Sequence, residues 1–101
     1  MDLSQLTEEM HRFVKEQGWY DLDSPKPQTA RNLAASLVIE SAEVLELYQW
    51  SEDLVGKKIL AGELADVALY LLQLASLSGI DLEAAILQKL EENYARDWNT
   101  Q

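Results

Sequence analysis

One apolar stretch decides what kind of fold this chain can adopt. Between Leu64 and Ile80 the sequence carries a single charged residue, Asp66. The pattern predicts a helix over about 57–77 that is apolar nearly all round, so it should lie at the centre of a helical assembly. The apolar stretch is slightly short for a membrane span, and it contains Asp66 and Gln73. A buried core helix is therefore the better interpretation.

The N-terminal segment shows the periodicity of an amphipathic helix. Apolar residues recur at the i, i+3, i+4, i+7 spacing from Leu3 to Val14. Ser4 or Thr7 is the expected N-cap, and Gly18 is the expected end of this helix.

Two further helices complete the predicted architecture. Residues 19–28 hold both prolines and indicate a loop, after which a helix should run from near Thr29 to about Tyr48. A break at 51–56 precedes the central helix, and a last helix should follow Gly79, with Asp81 as its N-cap. The sequence shows no strand alternation. It therefore predicts an all-α fold, a four-helix bundle in a single domain over residues 1–101.

Composition and charge limit the possible partners. The chain has 101 residues, is 48% hydrophobic, contains no cysteine and has a formal net charge of −10 at pH 7. Such an acidic protein lacks the basic face that binding to nucleic acid requires, and it should not bind anionic membrane surfaces. The absence of cysteine fits a reducing compartment, and the polar N-terminus lacks an apolar signal region. We therefore expect a cytoplasmic protein.

Four acids form two pairs at helical spacing. Glu40 and Glu43 are three residues apart, as are Glu63 and Asp66, so each pair lies on one face of a predicted helix. A lone pair of this kind is usually a solvated face. Two pairs on adjacent helices, one of them in an apolar run, favour a hard divalent cation between them, because unpaired carboxylates in apolar surroundings cost several kcal/mol.

Other residues that often carry chemistry have plainer interpretations. His11 is the only histidine and more often packs or lies at the surface than binds metal in such a helix. Its isolation argues against a di-iron carboxylate bundle, which uses E-x-x-H motifs on two helices. Trp19, Trp50 and Trp98 are equally compatible with core or interface positions.

Taken together, the motifs resemble a known family. The segment RNLAASLVIESAEVLELYQW is similar to one that reads R-N-L, then E-x-x-E-L-x-E-x-x-Q-W. The segment GELADVALYLLQLASLSGIDLEAAILQKLEEN resembles E-L-x-D-V-x-x-Y-L, then D-L-x-x-A-x-x-x-K-x-x-x-N. Both belong to the MazG-type all-α nucleoside triphosphate pyrophosphohydrolases, in the dCTP pyrophosphatase branch. The resemblance covers roughly residues 19–98.

The resemblance implies an activity and a set of site residues. The activity is Mg²⁺-dependent hydrolysis of a (deoxy)nucleoside triphosphate, with a dCTP-like pyrimidine as the leading substrate, to a monophosphate and pyrophosphate. Mn²⁺ is a possible substitute. The four acids would hold the metal, and Glu43 would orient the attacking water. Residues expected to contact the substrate are Trp19, Arg31, Asn32, Trp50, Tyr70, Lys89, Asn93 and Arg96. The resemblance and the apolar central helix also predict a homodimer or homotetramer.

Several positions depart from the pattern of this branch. Gln28 and Ala30 stand where the branch has a histidine and a proline just before R-N-L, and the loop before Arg31 is longer. The terminal N-x-x-R-x-W also differs from the usual N-x-x-R-Y. Because this loop approaches the substrate in relatives, the base preference is the least determined part of the prediction. The alternative to an enzyme is a non-catalytic acidic helical bundle that serves as an interaction module.

Overall fold

The chain is all-helical where its structure is described. The computed structural model describes residues 1–53 and 56–97, so Trp98 and part of the predicted break at 51–56 lie outside the described residues. Over the described ranges the chain forms four α-helices and no strand. The helices are α1 (Leu3–Glu16), α2 (Ala30–Glu46), α3 (Lys57–Leu77) and α4 (Leu82–Ala95). The predicted all-α fold is confirmed.

The predicted start of α1 was wrong by a few residues. Asp2, rather than Ser4 or Thr7, is the N-cap: its side chain accepts from the backbone N–H of Gln5, and the Gln5 side chain accepts from the Asp2 backbone N–H. This reciprocal pair is a capping box, which satisfies two of the free N–H groups at a helix start. The hydroxyl of Thr7 instead donates to the carbonyl of Leu3, one turn back.

The other predicted helix ends are confirmed. Thr29 and Asp81 cap α2 and α4, each accepting from the backbone N–H three residues ahead. Gly18 and Gly79 follow α1 and α3 with φ of 77° and 71°. This left-handed conformation is strained for residues with a Cβ, so glycine ends these helices cleanly.

Helix α3 is the central element, as the sequence predicted. It packs against α2 most extensively, then against α1, and least against α4. The buried apolar side chains join α1, α2 and α3, and α4 contributes none of the described buried residues. They are Met10, Val14, Leu33, Leu72 and Ala75. The single-chain core therefore lies between the first three helices.

A large part of the apolar surface stays exposed in one chain. The exposed fractions of Leu64, Leu87 and Leu90 are 51%, 61% and 47%. The radius of gyration is 16.4 Å, whereas a compact domain of this length has about 13 Å. By length and composition alone α3 is long and apolar enough to cross a membrane. It carries two acids and packs against three helices, as a helix of a bundle does.

Candidate functional site

Three of the four predicted acids meet between α2 and α3. Glu40 and Glu43 lie one turn apart on α2, and Glu63 faces them from α3. One carboxylate oxygen from each lies within 4.8 Å of the other two. All three side chains are half-buried, and the Oε2 atoms of Glu40 and Glu63 are buried without a hydrogen-bond partner among the described residues. We call Glu40, Glu43, Glu63 and the adjacent Asp66 the acid cluster.

The acid cluster is electrostatically strained as it stands. Burial raises the pKa of Glu40, and the nearby Glu43 raises it further. The Glu63 carboxyl lies close enough to that of Glu43 to share a proton, which raises the pKa of Glu63, and burial adds to the effect. No ion pair resolved among residues 1–53 and 56–97 brings a cation to these carboxylates. Crowded carboxylates with unpartnered buried oxygens can hold a divalent cation that takes oxygen ligands.

Asp66 connects the acid cluster to a neighbouring pocket. Its charge raises the pKa of both Glu40 and Glu63, so it lies near both carboxyls. It also lines a cavity of about 330 Å³ between α1, α3 and the loop that follows α1. The sequence placed Asp66 in apolar surroundings, but in the single chain it is exposed. The prediction that Asp66 is buried among apolar groups was therefore wrong for one chain. Its position near Glu40 and Glu63 nevertheless supports the grouping of the four acids.

The pocket beside Asp66 is mostly apolar, with two amides in its wall. Two of the predicted substrate contacts, Trp19 and Tyr70, line it. The described lining is Leu6, Glu9, Met10, Phe13, Val14, Trp19, Gln28, Asp66, Leu69, Tyr70 and Gln73. Its size and its apolar walls with few polar groups are typical of small-molecule sites.

The loop between α1 and α2 forms one side of this pocket, and side chains hold it in place. The Trp19 ring packs edge-on against Phe13, with ring centroids 5.7 Å apart, and the Lys26 ammonium lies 5.0 Å from the Trp19 centroid. The Asn32 amide donates to the carbonyl of Pro27 at 2.9 Å. Asn32, predicted to contact substrate, thus fastens the loop to the start of α2.

The other predicted contacts lie away from the pocket in one chain. Arg31 is exposed at the start of α2, and Trp50 is 90% exposed beyond its end. Lys89 pairs with Glu92 on α4 at 3.8 Å. Asn93 and Arg96 line a cavity of about 390 Å³ at the C-terminal end of α4. None of these side chains is among the described lining of the pocket beside Asp66.

Two site residues were missed at the sequence level. Glu46, three residues after Glu43, adds to the field that raises the pKa of Glu63. Gln73 is 3% exposed and is the buried polar side chain of the described core. Gln73 lies two turns after Asp66 on the same face of α3, so a second polar residue in an apolar helix was the signal that could have revealed it.

Comparisons with known proteins identify the family of this chain. A pyrophosphatase from Archaeoglobus fulgidus has a crystal structure that matches with a TM-score of 0.79 and 30% sequence identity, covering 96% of this chain and 92% of that one. The chain belongs to the MazG-type pyrophosphohydrolase family. No protein-family model matches the sequence.

The chain is also similar to curated dCTP pyrophosphatases. Rattus norvegicus dCTP pyrophosphatase 1 is 33% identical over 93 residues, covering 83% of this chain. The Homo sapiens protein of the same name is 34% identical over 93 residues. The chain spans about half the length of these relatives, 52% in each case.

Proposed function

We propose that this chain hydrolyses a nucleoside triphosphate to a nucleoside monophosphate and pyrophosphate in a Mg²⁺-dependent reaction. The observation that carries the proposal is the sharing of Asp66 between the acid cluster and the apolar pocket. A triphosphate needs cations and a base needs an apolar slot, so one nucleotide can engage both sites at once. The names of the curated relatives support a dCTP-like pyrimidine nucleotide as substrate.

The chemistry of the donors fits a hard divalent cation. All four groups of the acid cluster are carboxylates, the ligand type that Mg²⁺ prefers and that Mn²⁺ also accepts. Two buried oxygens without partners, one each on Glu40 and Glu63, supply the ligand positions. A bound Mg²⁺ would offset the triphosphate charge and lower the pKa of a coordinated water.

Within this scheme all four acids would hold the cation. Glu43, which lies next to Glu40 and Glu63, would also orient the attacking water and accept its proton. The water oxygen forms a bond to the α-phosphorus, and the bond from that phosphorus to the bridging oxygen breaks. The electron pair of the broken bond leaves with pyrophosphate.

The pocket holds the base, and its aromatic side chains select for a flat ring. Trp19 and Tyr70 lie in the pocket wall, so they are placed to stack on or edge against the base. Trp50, at 90% exposure, contributes only if the substrate or a second chain covers it. Arg31, which is exposed at the start of α2, would likewise contact a phosphate only when the substrate or a second chain covers it.

The exposed apolar faces of α3 and α4 support a homodimer or a dimer of dimers. A single chain leaves Leu64 and Leu87 more than half exposed, and its radius of gyration exceeds that of a compact domain. In such an assembly α4 of a second copy can bring Lys89, Asn93 and Arg96 to the phosphates. Light scattering should give a multiple of the 11.5 kDa chain mass, and a stable monomer at micromolar concentration would contradict the assembly. We propose that the protein is cytoplasmic, where nucleotides are abundant.

An isotope experiment tests the reaction directly. Nucleoside triphosphates are incubated with the protein in ¹⁸O-water with Mg²⁺. The products are then separated, and the ¹⁸O content of each is determined by mass spectrometry. We expect monophosphate plus pyrophosphate, with the label in the monophosphate, and no turnover in chelator. Label in pyrophosphate would place the attack at the β-phosphorus. Production of diphosphate and phosphate, or no turnover of any nucleotide, would refute the proposal. Glu91→Gln, on the exposed face of α4, is the matched control and should keep full activity.

A further inference from the structure

A chain of hydrogen bonds runs from the protein interior to the base pocket. Gln73 uses its amide nitrogen twice, donating to the Tyr20 hydroxyl at 3.2 Å and to Oε1 of Gln28 at 2.8 Å. Gln28 in turn donates from Nε2 to the carbonyl of Lys26 at 2.7 Å. Gln28 and Gln73 both line the pocket beside Asp66. The side-chain amide of Gln28 is therefore held through both its oxygen and its nitrogen.

The inner end of the chain is anchored on two helices. The Tyr20 hydroxyl lies 2.6 Å from Nδ1 of His11, and Nε2 of His11 lies 2.7 Å from the Ser76 hydroxyl. The Tyr20 oxygen accepts from Gln73, and the two ring nitrogens of His11 link Tyr20 to the Ser76 hydroxyl, so the inner end is tied to both α1 and α3. Burial raises the pKa of Tyr20, which keeps the phenol protonated.

The anchored chain determines the orientation of both amides. If Gln73 turned over, its carbonyl oxygen would face Oε1 of Gln28, and two acceptors would meet without a proton between them. If Gln28 turned over, its oxygen would face the Lys26 carbonyl, with the same result. Each glutamine thus has one favoured orientation, although an isolated amide has two of equal energy.

A fixed amide can distinguish bases that a free amide cannot. Gln28 keeps one N–H and one oxygen lone pair beyond those already used. Cytosine presents an amino donor beside a ring acceptor, whereas thymine and uracil present a carbonyl acceptor beside a ring donor. An amide that can turn over matches either order, while a fixed amide matches one.

We propose that Gln28 forms hydrogen bonds to the edge of the base. Gln73 is a positioning residue that fixes the orientation of the Gln28 amide, and so fixes where its donor and its acceptor lie. The inference rests on the proposed function, because it assigns the selectivity of that same site. Good paired hydrogen bonds to a base edge are worth roughly a 5- to 150-fold preference. Discrimination between amino and keto pyrimidines should therefore depend on both glutamines.

The test measures kcat and KM separately for dCTP, dTTP, dUTP and the purine nucleotides. Gln28→Ala should lower kcat/KM for the preferred pyrimidine by about 10-fold or more, through KM, and leave poor substrates nearly unchanged. Gln73→Leu keeps the volume but frees Gln28, so the ratio between amino and keto pyrimidines should fall towards one. The double variant should discriminate no worse than Gln28→Ala alone. Gln17→Ala removes an exposed amide outside the pocket and should leave the ratio unchanged.

Several outcomes would overturn the inference. An equal fall in kcat/KM for every nucleotide after Gln28→Ala would make Gln28 a general wall residue. A Gln73→Leu protein with a lower melting temperature but an unchanged ratio would make Gln73 merely structural, and Gln73→Met repeats this measurement if the leucine variant does not fold. Turnover by the wild type is measured in the same experiment. If the wild type shows none, both the proposed function and this inference are refuted. If the wild type is active but the variants discriminate between bases as it does, this inference alone is refuted.

Discussion

Replacing Glu43 with glutamine removes a charge that both neighbouring glutamates face. The oxygens of Glu40 and Glu43 lie within 4.8 Å, and two unit charges at that distance repel by about 0.9 kcal/mol at a dielectric constant of ~80. A water-like dielectric is appropriate because both side chains are only half-buried and solvent screens them. Each kcal/mol moves the melting temperature of such a domain by about 4–8 °C. Metal-free Glu43→Gln should therefore melt about 3–7 °C above the wild type.

Thermal unfolding followed by circular dichroism at neutral pH, in chelator and low salt, measures this difference. About 1 M salt, with a Debye length of ~3 Å, should remove most of it. Mg²⁺ should reverse the order, because the wild type gains binding free energy that the variant has lost. Glu91→Gln, outside the acid cluster, should melt like the wild type in all conditions. A Glu43→Gln protein that melts below the wild type in chelator would show that this carboxylate holds the fold together, which would refute the reasoning.

Three further predictions concern pH, the base and the metal. Because the pKa values of Glu40 and Glu63 are raised above the ordinary 4.5, the metal-free folded chain binds more protons than the unfolded chain. Its stability should thus fall as pH rises from 4.5 through the raised values, and a melting temperature that climbs over this window in chelator would contradict the assignment. Trp19→Ala should raise KM roughly 5- to 150-fold if stacking on the base contributes as in other aromatic platforms. Trp50→Ala should raise KM less. If steady-state kinetics gave the larger increase for Trp50→Ala, the base would bind near the end of α2 instead. Asp66→Asn should remain helical by circular dichroism yet lose turnover by orders of magnitude, so a folded variant with full activity would exclude Asp66 as a ligand.

Local patterns predicted the helices well because local physics sets their ends. Thr29 and Asp81 were identified as caps from residue type and position alone, and Gly79 as a stop, since each acts on backbone groups within a few residues. The start of α1 was misplaced because Ser4, Thr7 and Asp2 all satisfy the same preference. The choice was made by the reciprocal bond to Gln5, which a search for caps alone does not weigh.

Features that depend on distant residues could not be predicted in this way. The spacing of the four acids indicated a cluster, but the exposure of Asp66 depends on what covers α3, which periodicity does not specify. The partners of Gln73 are Tyr20 and Gln28, 53 and 45 residues away along the chain. Both belong to a loop whose path is set by its own side-chain contacts. The sequence showed that Gln28 was unusual without showing what it contacts.

The candidate site combines helix residues with loop residues. The acid cluster and most of the pocket wall stand on helices, whereas Trp19 and Gln28 belong to the connection between α1 and α2. Doubling the length of a loop costs a fold only about 0.6 kcal/mol, and loops accept insertions that helices do not. Under the proposed function, changes in this connection can therefore alter which nucleotide is recognised while the acid cluster on α2 and α3 stays intact, and a protein engineer can vary residues 19–28 to retarget the enzyme.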